Sequence, residues 1–558
     1  MDDEVMRARK IGLSVGAMCA GLFAVQIALS ADPLRDLQNQ AIADKKSDLG
    51  YWGTNPDAYI TWSSHSNRLI PVYTFGTLNG GPGIDLRSYD GANSPYRQQT
   101  QLERIYGRMP TNTLNPDAEY LDQTNVFDLQ KAAFAAGRKY VFLVVFDGMD
   151  WETTRAAAIY NRHAVDYDSG RGAGTHFQDY TAHGTTQYGF MCTSPHNDGT
   201  DNNVDLQTVL NPGGKTPGGY NPALGGPNPW TPGADPLYLI SKSASISEKH
   251  AYTDSSCSMS SMTTGIKSYN NAVDVDFAGQ PVATIAHLVQ EQGLAVGVVS
   301  SVPICHATPA CSYAHNVDRD DYQDISRDLL GLKSISHPQE PLPGMDVVIG
   351  GGYGVLRTTD KNQGANFVPG NAALTEDDLK AVDFRHGGKY VTAVRTPGVN
   401  GKEQLLKAAA EAREKRRRLL GFYGNGKYGG HLPFQTADGD YHPANGQREA
   451  EVYEPADLTE NPQLADMTSA ALTVLSANPK GFWLMVEAGD VDWANHNNNI
   501  DDSIGALNSG DAAVKVITDW VEQNSNWQES VLIVTADHGH YFHFKRPELL
   551  VVPPAAGK

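Results

Sequence analysis

Tyr140 to Phe146 is a continuous apolar run of the length of a buried strand, and it ends at Asp147-Gly148 before a helical pattern over 152–160. The unit recurs along the chain. Apolar runs over 294–300, 346–349, 481–487 and 530–535 are interleaved with helical periodicity over 284–292, 402–420, 463–476 and 503–523. Strands alternating with helices predict an α/β fold: a mostly parallel central sheet flanked by helices on both faces. Three of the runs end in acids or histidines. Asp147 follows the first; Glu487, Asp490, Asp492 and His496 close the fourth; Asp537, His538 and His540 follow the last. The carboxyl ends of parallel strands are where open α/β sheets place their sites.

At 558 residues the chain is long enough for one large core with insertions. Residues 31–138, polar and punctuated by Gly, Pro and Asn, read as an irregular N-terminal extension covering a core that runs from 139 to 558. Gly/Pro-rich stretches at about 164–236 and 355–458 read as insertions in that core. The second carries the helix over 402–420, and its run Lys415-Arg416-Arg417-Arg418 reads as a solvated helix end. Arg7, Arg9 and Lys10 precede the apolar run Ile11 to Leu29, and Ala28-Leu29-Ser30 offers cleavage before Ala31. Residues 1–30 are therefore expected to be a signal peptide of an exported protein, periplasmic or extracellular, with no membrane span after cleavage. An uncleaved anchor is the other reading of that run. With 44 basic against 64 acidic residues, a net charge of −20 argues against a nucleic-acid partner. Cys192, Cys257, Cys305 and Cys311 are too few for a disulfide scaffold; Cys305 and Cys311 bracket a short loop that a bridge could close, and no Cys pair has zinc spacing.

Thr253-Asp254-Ser255 opens a segment of small residues with Met259, Met262 and Ile266 at helical spacing, as expected of a helix buried against close neighbours. Ser and Asp are ordinary N-caps. A serine at that position also sits where free N–H groups favour an anion, so a cap and a nucleophile are both open readings. Asp492 and His496 are one helical turn apart and can face one ion, while Asp537 and His538 can serve a second. Carboxylate and imidazole without thiolate suit zinc or manganese; an all-oxygen set around Asp147, Thr308 and Glu487 suits magnesium.

The segment Thr253 to Asp276, Cys305 to Arg319, the spacing of Glu487, Asp492 and His496, and Thr535-Ala536-Asp537-His538 together make the chain resemble an alkaline phosphatase between about Tyr140 and Tyr541. The resemblance implies a phosphomonoesterase using two zinc ions and one magnesium. It makes Ser255 the serine that becomes phosphorylated, assigns Asp147, Asp537 and His538 to the zinc that activates it, and assigns Asp492 and His496 to the other zinc. Asp147, Thr308 and Glu487 fall to magnesium, and Arg319 to the phosphate. Asp254, Trp493 and His540 take supporting places, His540 as the histidine that orients Asp492. The expected partners are small phosphate monoesters, with a homodimer as a possible assembly.

The chain departs from the family's pattern in three places. His306, at the magnesium site, and Trp493, after Asp492, stand where some bacterial members carry Asp and Lys. The family's last zinc ligand, a His well beyond the Asp-His pair, has no downstream match before Lys558. On that ground the chain is expected to be a truncated form with one weak zinc site, unless His543 folds back to supply the third nitrogen. The alternatives to a monoesterase are an inactive phosphate-binding homologue or a phosphodiesterase of the same superfamily; a sulfatase lacks support because Ser255 to Met259 contains neither the Pro nor the Arg its nucleophile motif needs.

Overall fold

The computed structural model describes residues 32–241 and 250–552. The signal peptide expected over 1–30, and the chain end at Lys558, lie outside the described residues. Ten strands form one sheet: β1 Ile70–Phe75, β2 Leu121–Asp122, β3 Tyr140–Phe146, β4 Gln187–Cys192, β5 Ala295–Pro303, β6 Val347–Gly351, β7 Tyr390–Val394, β8 Arg418–Phe422, β9 Phe482–Ala488 and β10 Ser530–Thr535. Their spatial order is β7-β8-β6-β5-β9-β3-β10-β1-β4-β2. The seven strands from β7 to β10 are all parallel. β1 pairs antiparallel with both β10 and β4, and β2 runs parallel to β4, so β1 alone opposes the rest.

Strand β3 has no polar residue because it is covered twice. On its neighbour β9, Trp483 donates Nε1–H to Gln130 Oε1 (2.7 Å) of helix α1, Thr124–Ala135. Phe482, the preceding residue, packs its ring 5.4 Å from Trp520 of the long helix Ile500–Asn524. Successive strand residues point to opposite faces, so the two helices lie on opposite sides of the sheet. Trp151–Arg162 (α2) and Leu464–Leu475 pack against the long helix, while Ser255–Thr264 (α3) packs against α1.

Several expectations need correcting. The segment before 139 is not simply an irregular cover, since it supplies β1, β2 and α1. Pro71 disguised β1: a proline demotes a run as a central strand, but here Pro71 pairs only with Phe190 of β4, and pairing to β10 begins at Val72. The stretch after 355 contains the parallel edge strands β7 and β8, and the helix expected to reach 420 ends at Lys415, where Arg416 turns left-handed (φ 51°) and Arg418 enters β8. Likewise β4 lies within the earlier Gly/Pro-rich stretch. Cys305 and Cys311 form no bridge; with Cys192 and Cys257 they are free, buried thiols. No helix among the described residues is long and apolar enough to cross a membrane.

Candidate metal and phosphoryl site

Parallel neighbours β9, β3 and β10 end side by side. The register sets Glu487 opposite Val145 and Thr535 opposite Val145 on its other side, so Glu487, Asp147 and Asp537 emerge from adjacent strands at one edge. Gly148 completes the turn. Its φ of 73° and a Cβ position that would fall 2.8 Å from His540 Nε2 leave room for glycine alone, and its N–H donates to Asp537 Oδ1 at 2.9 Å.

Helix α3 faces these ends. Asp254 is its N-cap, accepting the N–H of Cys257 at 3.0 Å and of Asn271 at 2.9 Å. Every residue of the helix is buried, and the small side chains serve as close contacts: Ser258 Oγ donates to the carbonyl of Asp537 (2.7 Å) and accepts from Gln123 of the N-terminal segment (2.7 Å). This seats Ser255, the first helical residue, with Oγ 3.4 Å from Asp147 Oδ1 and 3.1 Å from His538 Nε2. Arg319 Nη1 lies 3.3 Å from Asp254 Oδ2, and Nη2 lies 3.5 Å from His306 Nε2. Burial would push Asp254 up, but Arg319 and the two capping N–H groups hold it below the ordinary carboxylate range.

Asp492 and His496 occupy one face of the short helix Asp490–His496 (α4), with Nε2 and Oδ1 3.4 Å apart. His540 Nε2 lies 2.7 Å from Asp492 Oδ1, and Trp493 stands between the rings of His306 (5.8 Å) and His431 (4.8 Å). Among the described residues, three groups have ligand atoms within 4.8 Å of one another: Asp147, Asp537 and His538; Asp147, His306 and Glu487; and His65, Asp492, His538 and His540. Asp147 is common to the first two. Its Oδ1 faces His538 at 3.3 Å, and its Oδ2 accepts from Thr308 Oγ1 at 3.4 Å.

The electrostatics fit bound cations. Burial pushes Glu487 up to about 8 and Asp537 up to about 6, and drives Asp147 well above the carboxylate range, with Asp537, Asp492 and Glu487 adding repulsion. Asp537 Oδ2 and Glu487 Oε1 are buried without a hydrogen-bond partner, which a metal ion would satisfy. Against its burial, Asp492 is held well below the usual range by His496, His540 and His65. Burial lowers His306 to about 3 and His540 to about 4 and keeps His538 far below its ordinary value, so these rings are neutral. Above the clusters opens a cleft of about 810 Å³ whose lining includes Ser255, Arg319, Tyr322, Trp493 and Arg448.

All the site residues expected from the sequence thus meet at one sheet edge. His543 does not. It accepts from Arg68 Nη2 at 2.9 Å and stacks on Tyr51, turned into a different cluster. The residue sequence reasoning missed is His65, whose Nε2 lies 3.2 Å from His496 Nε2 and 3.5 Å from Asp492 Oδ1. Its only sequence signal was a His shortly before the Pro-containing run that becomes β1.

The family model for alkaline phosphatase matches residues 227–550. Alkaline phosphatase H of Pseudomonas aeruginosa is 32% identical over 301 residues, covering 53% of this chain and 59% of that protein. Alkaline phosphatase 4 of Bacillus subtilis is 28% identical over 286 residues, covering 51% and 49%. The chain spans about half the length of the curated relatives it matches. Among solved structures, the alkaline phosphatase of Thermus thermophilus overlaps 72% of this chain and 60% of its own, with 23% identity and a TM-score of 0.43. That from the Antarctic bacterium TAB5 overlaps 72% and 80%, with 17% identity and a TM-score of 0.40.

Proposed function

This chain belongs to the alkaline phosphatase family, and from that premise we propose that it hydrolyses phosphate monoesters to inorganic phosphate and an alcohol through a phosphoserine on Ser255. The observation that carries the reading is the placement of Ser255 Oγ at a buried helix N-terminus, between Asp147 and His538 and beneath a cleft that also holds Arg319.

Ser255 Oγ bonds to phosphorus in line with the leaving oxygen. It loses its proton to solvent, and the departing alkoxide takes one from water. Arg319 offers a planar fork to two non-bridging oxygens, and Asp254 fixes the plane of that fork. A water oxygen then bonds to phosphorus from the vacated side and gives up a proton to solvent, the Ser255–phosphorus bond breaks and Ser255 Oγ takes a proton back from water, and two inversions give retention. Asp147, Asp537 and His538 would hold one zinc, Asp492 and His496 would help hold a second, and Asp147, Thr308 and Glu487, with His306 close by, would hold magnesium. Such ions supply charge neutralisation for the phosphoryl group and favour deprotonated serine and water near neutral to alkaline pH. His540 and Trp493 act by holding Asp492 and His306 in place.

The test is trapping. Brief acid quench after exposure to labelled phosphate should leave label on the wild-type chain and none on Ser255→Ala. Label surviving on the variant moves the nucleophile elsewhere. Turnover of an aryl phosphate far above that of the corresponding diester and sulfate, with zinc and magnesium added, supports the monoesterase; a preference for the diester overturns it.

A further inference from the structure

Asp492 and His496 alone would give the second zinc two protein ligands where a catalytic zinc ordinarily has three. In space a third donor is present, 431 residues away along the chain from His496. His65 Nε2, His496 Nε2 and Asp492 Oδ1 form a triangle with sides of 3.2, 3.4 and 3.5 Å. An ion bound tetrahedrally at roughly 2.0–2.1 Å sets its ligands about 3.3 Å apart.

The hydrogen bonds behind the rings fix their tautomers. His65 Nδ1 lies 3.0 Å from the carbonyl of Thr253, and His496 Nδ1 contacts the carbonyl of Ser63. A carbonyl oxygen only accepts, so each Nδ1 carries the proton and each Nε2 is left with a lone pair or a second proton. With both rings neutral, the two Nε2 atoms face each other lone pair to lone pair across 3.2 Å. A cation between them removes that conflict and makes both rings ligands of the usual kind, each oriented through its far nitrogen.

We propose that His65 is the third protein ligand of the metal ion held by Asp492 and His496, so that the N-terminal segment completes the centre. The proposal rests on the reading of this site as a metal-dependent phosphatase. His65 lies outside the residues matched by the family model.

The segment is docked as a ligand-bearing element must be. Its Ser63 carbonyl orients His496, so it steers two of the three ligands. Ser66 N–H donates to Gly539 O at 2.8 Å, one residue after His538. Arg68 is buried against Asp150 (3.2 Å) and donates to the carbonyl of Phe542 at 2.8 Å. Residues 50–52 pair antiparallel with 542–544. The His65 ring stacks on His538 at 3.7 Å, which sets its plane.

The test compares metal content in the full chain, wild type, His65→Ala and His65→Cys, by elemental analysis after dialysis against a mild chelator and by titration with zinc. His65→Ala should keep the ion of Asp147, Asp537 and His538 and bind the second at least 10–100-fold more weakly, the loss that even outer partners of a metal ligand produce. His65→Cys should recover the second ion, and cobalt loaded there should show a thiolate-to-cobalt charge-transfer band absent from the wild type. A second ion bound by His65→Ala as tightly as by the wild type, or a His65→Cys protein that takes up two cobalt ions without the band, overturns the assignment of His65 and leaves the phosphatase reading standing. A wild type that binds no zinc overturns the metal reading itself. If His65→Ala does not fold, the cobalt spectrum of His65→Cys decides alone.

Discussion

Arg319→Ala isolates the phosphate-gripping role from the metal-holding one. In the structure the guanidinium reaches Asp254 at 3.3 Å and His306 at 3.5 Å, both longer than a tight charge-assisted bond. Only two of its five N–H donors are engaged, so a fork remains for a phosphoryl dianion. Two hydrogen bonds to a charged acceptor are worth roughly 1.5–3 kcal/mol each, about 3–6 kcal/mol together. At about 1.4 kcal/mol per decade this predicts a fall in kcat/KM of about 10²–10⁴-fold. The fold should survive, because Asp254 keeps three other donors: the N–H groups of Cys257 and Asn271, and Ser256 Oγ at 3.0 Å. The assay is turnover of an aryl phosphate with zinc and magnesium supplied, alongside inhibition by inorganic phosphate and metal content by elemental analysis. Phosphate inhibition should weaken together with kcat/KM, with metal content unchanged, and Arg319→Lys should recover only part of the loss because a point charge cannot grip two oxygens in a plane. A fall of less than about tenfold, or metal lost along with activity, would show that Arg319 serves as a structural partner of Asp254 and refute the reasoning.

Gly148→Ala should destabilise the protein by about 1–2 kcal/mol from left-handed strain alone and lower its metal content, since the added methyl would fall 2.8 Å from His540 Nε2 and 3.0 Å from Asp492 Cα; an unchanged melting temperature and full metal occupancy would contradict it. In chelated protein the stability contributed by the raised carboxyls should be lost as pH rises from about 4 to about 8, against a gain up to about pH 6.5 from His306, His538 and His540, whose folded values lie below the unfolded one. Asp147, Asp537 (about 6) and Glu487 (about 8) have folded values above the unfolded ones, so their contribution is complete below the unfolded range near pH 4 and is lost as pH climbs through the raised values. Asp492, held low, contributes oppositely but only below about pH 4. Groups away from the site act alike with and without metal, so the gap in melting temperature between loaded and chelated protein should widen from pH 5 to pH 8; a constant or narrowing gap across that window counts against these carboxylates as the metal cradle.

Local order carried much of the site into the sequence. The continuous apolar run before Asp147 marks a strand covered on both faces, and the acids at the ends of β3, β9 and β10 mark the sheet edge, because strand length, apolar content and the polar residue that stops the run are all properties of neighbouring residues. The four-residue spacing of Asp492 and His496 fixed their shared helical face in the same way. Nothing local states which segments meet. That β3 lies between β9 and β10 is decided by packing across the whole sheet, and so is the pairing of β1 with β10, which turns a stretch that read as cover into a structural member. His65 is the sharpest case. Its neighbours in sequence are polar and aperiodic, and its meaning comes from contacts with Thr253, His496 and His538, each formed only after a chain of several hundred residues has closed on itself.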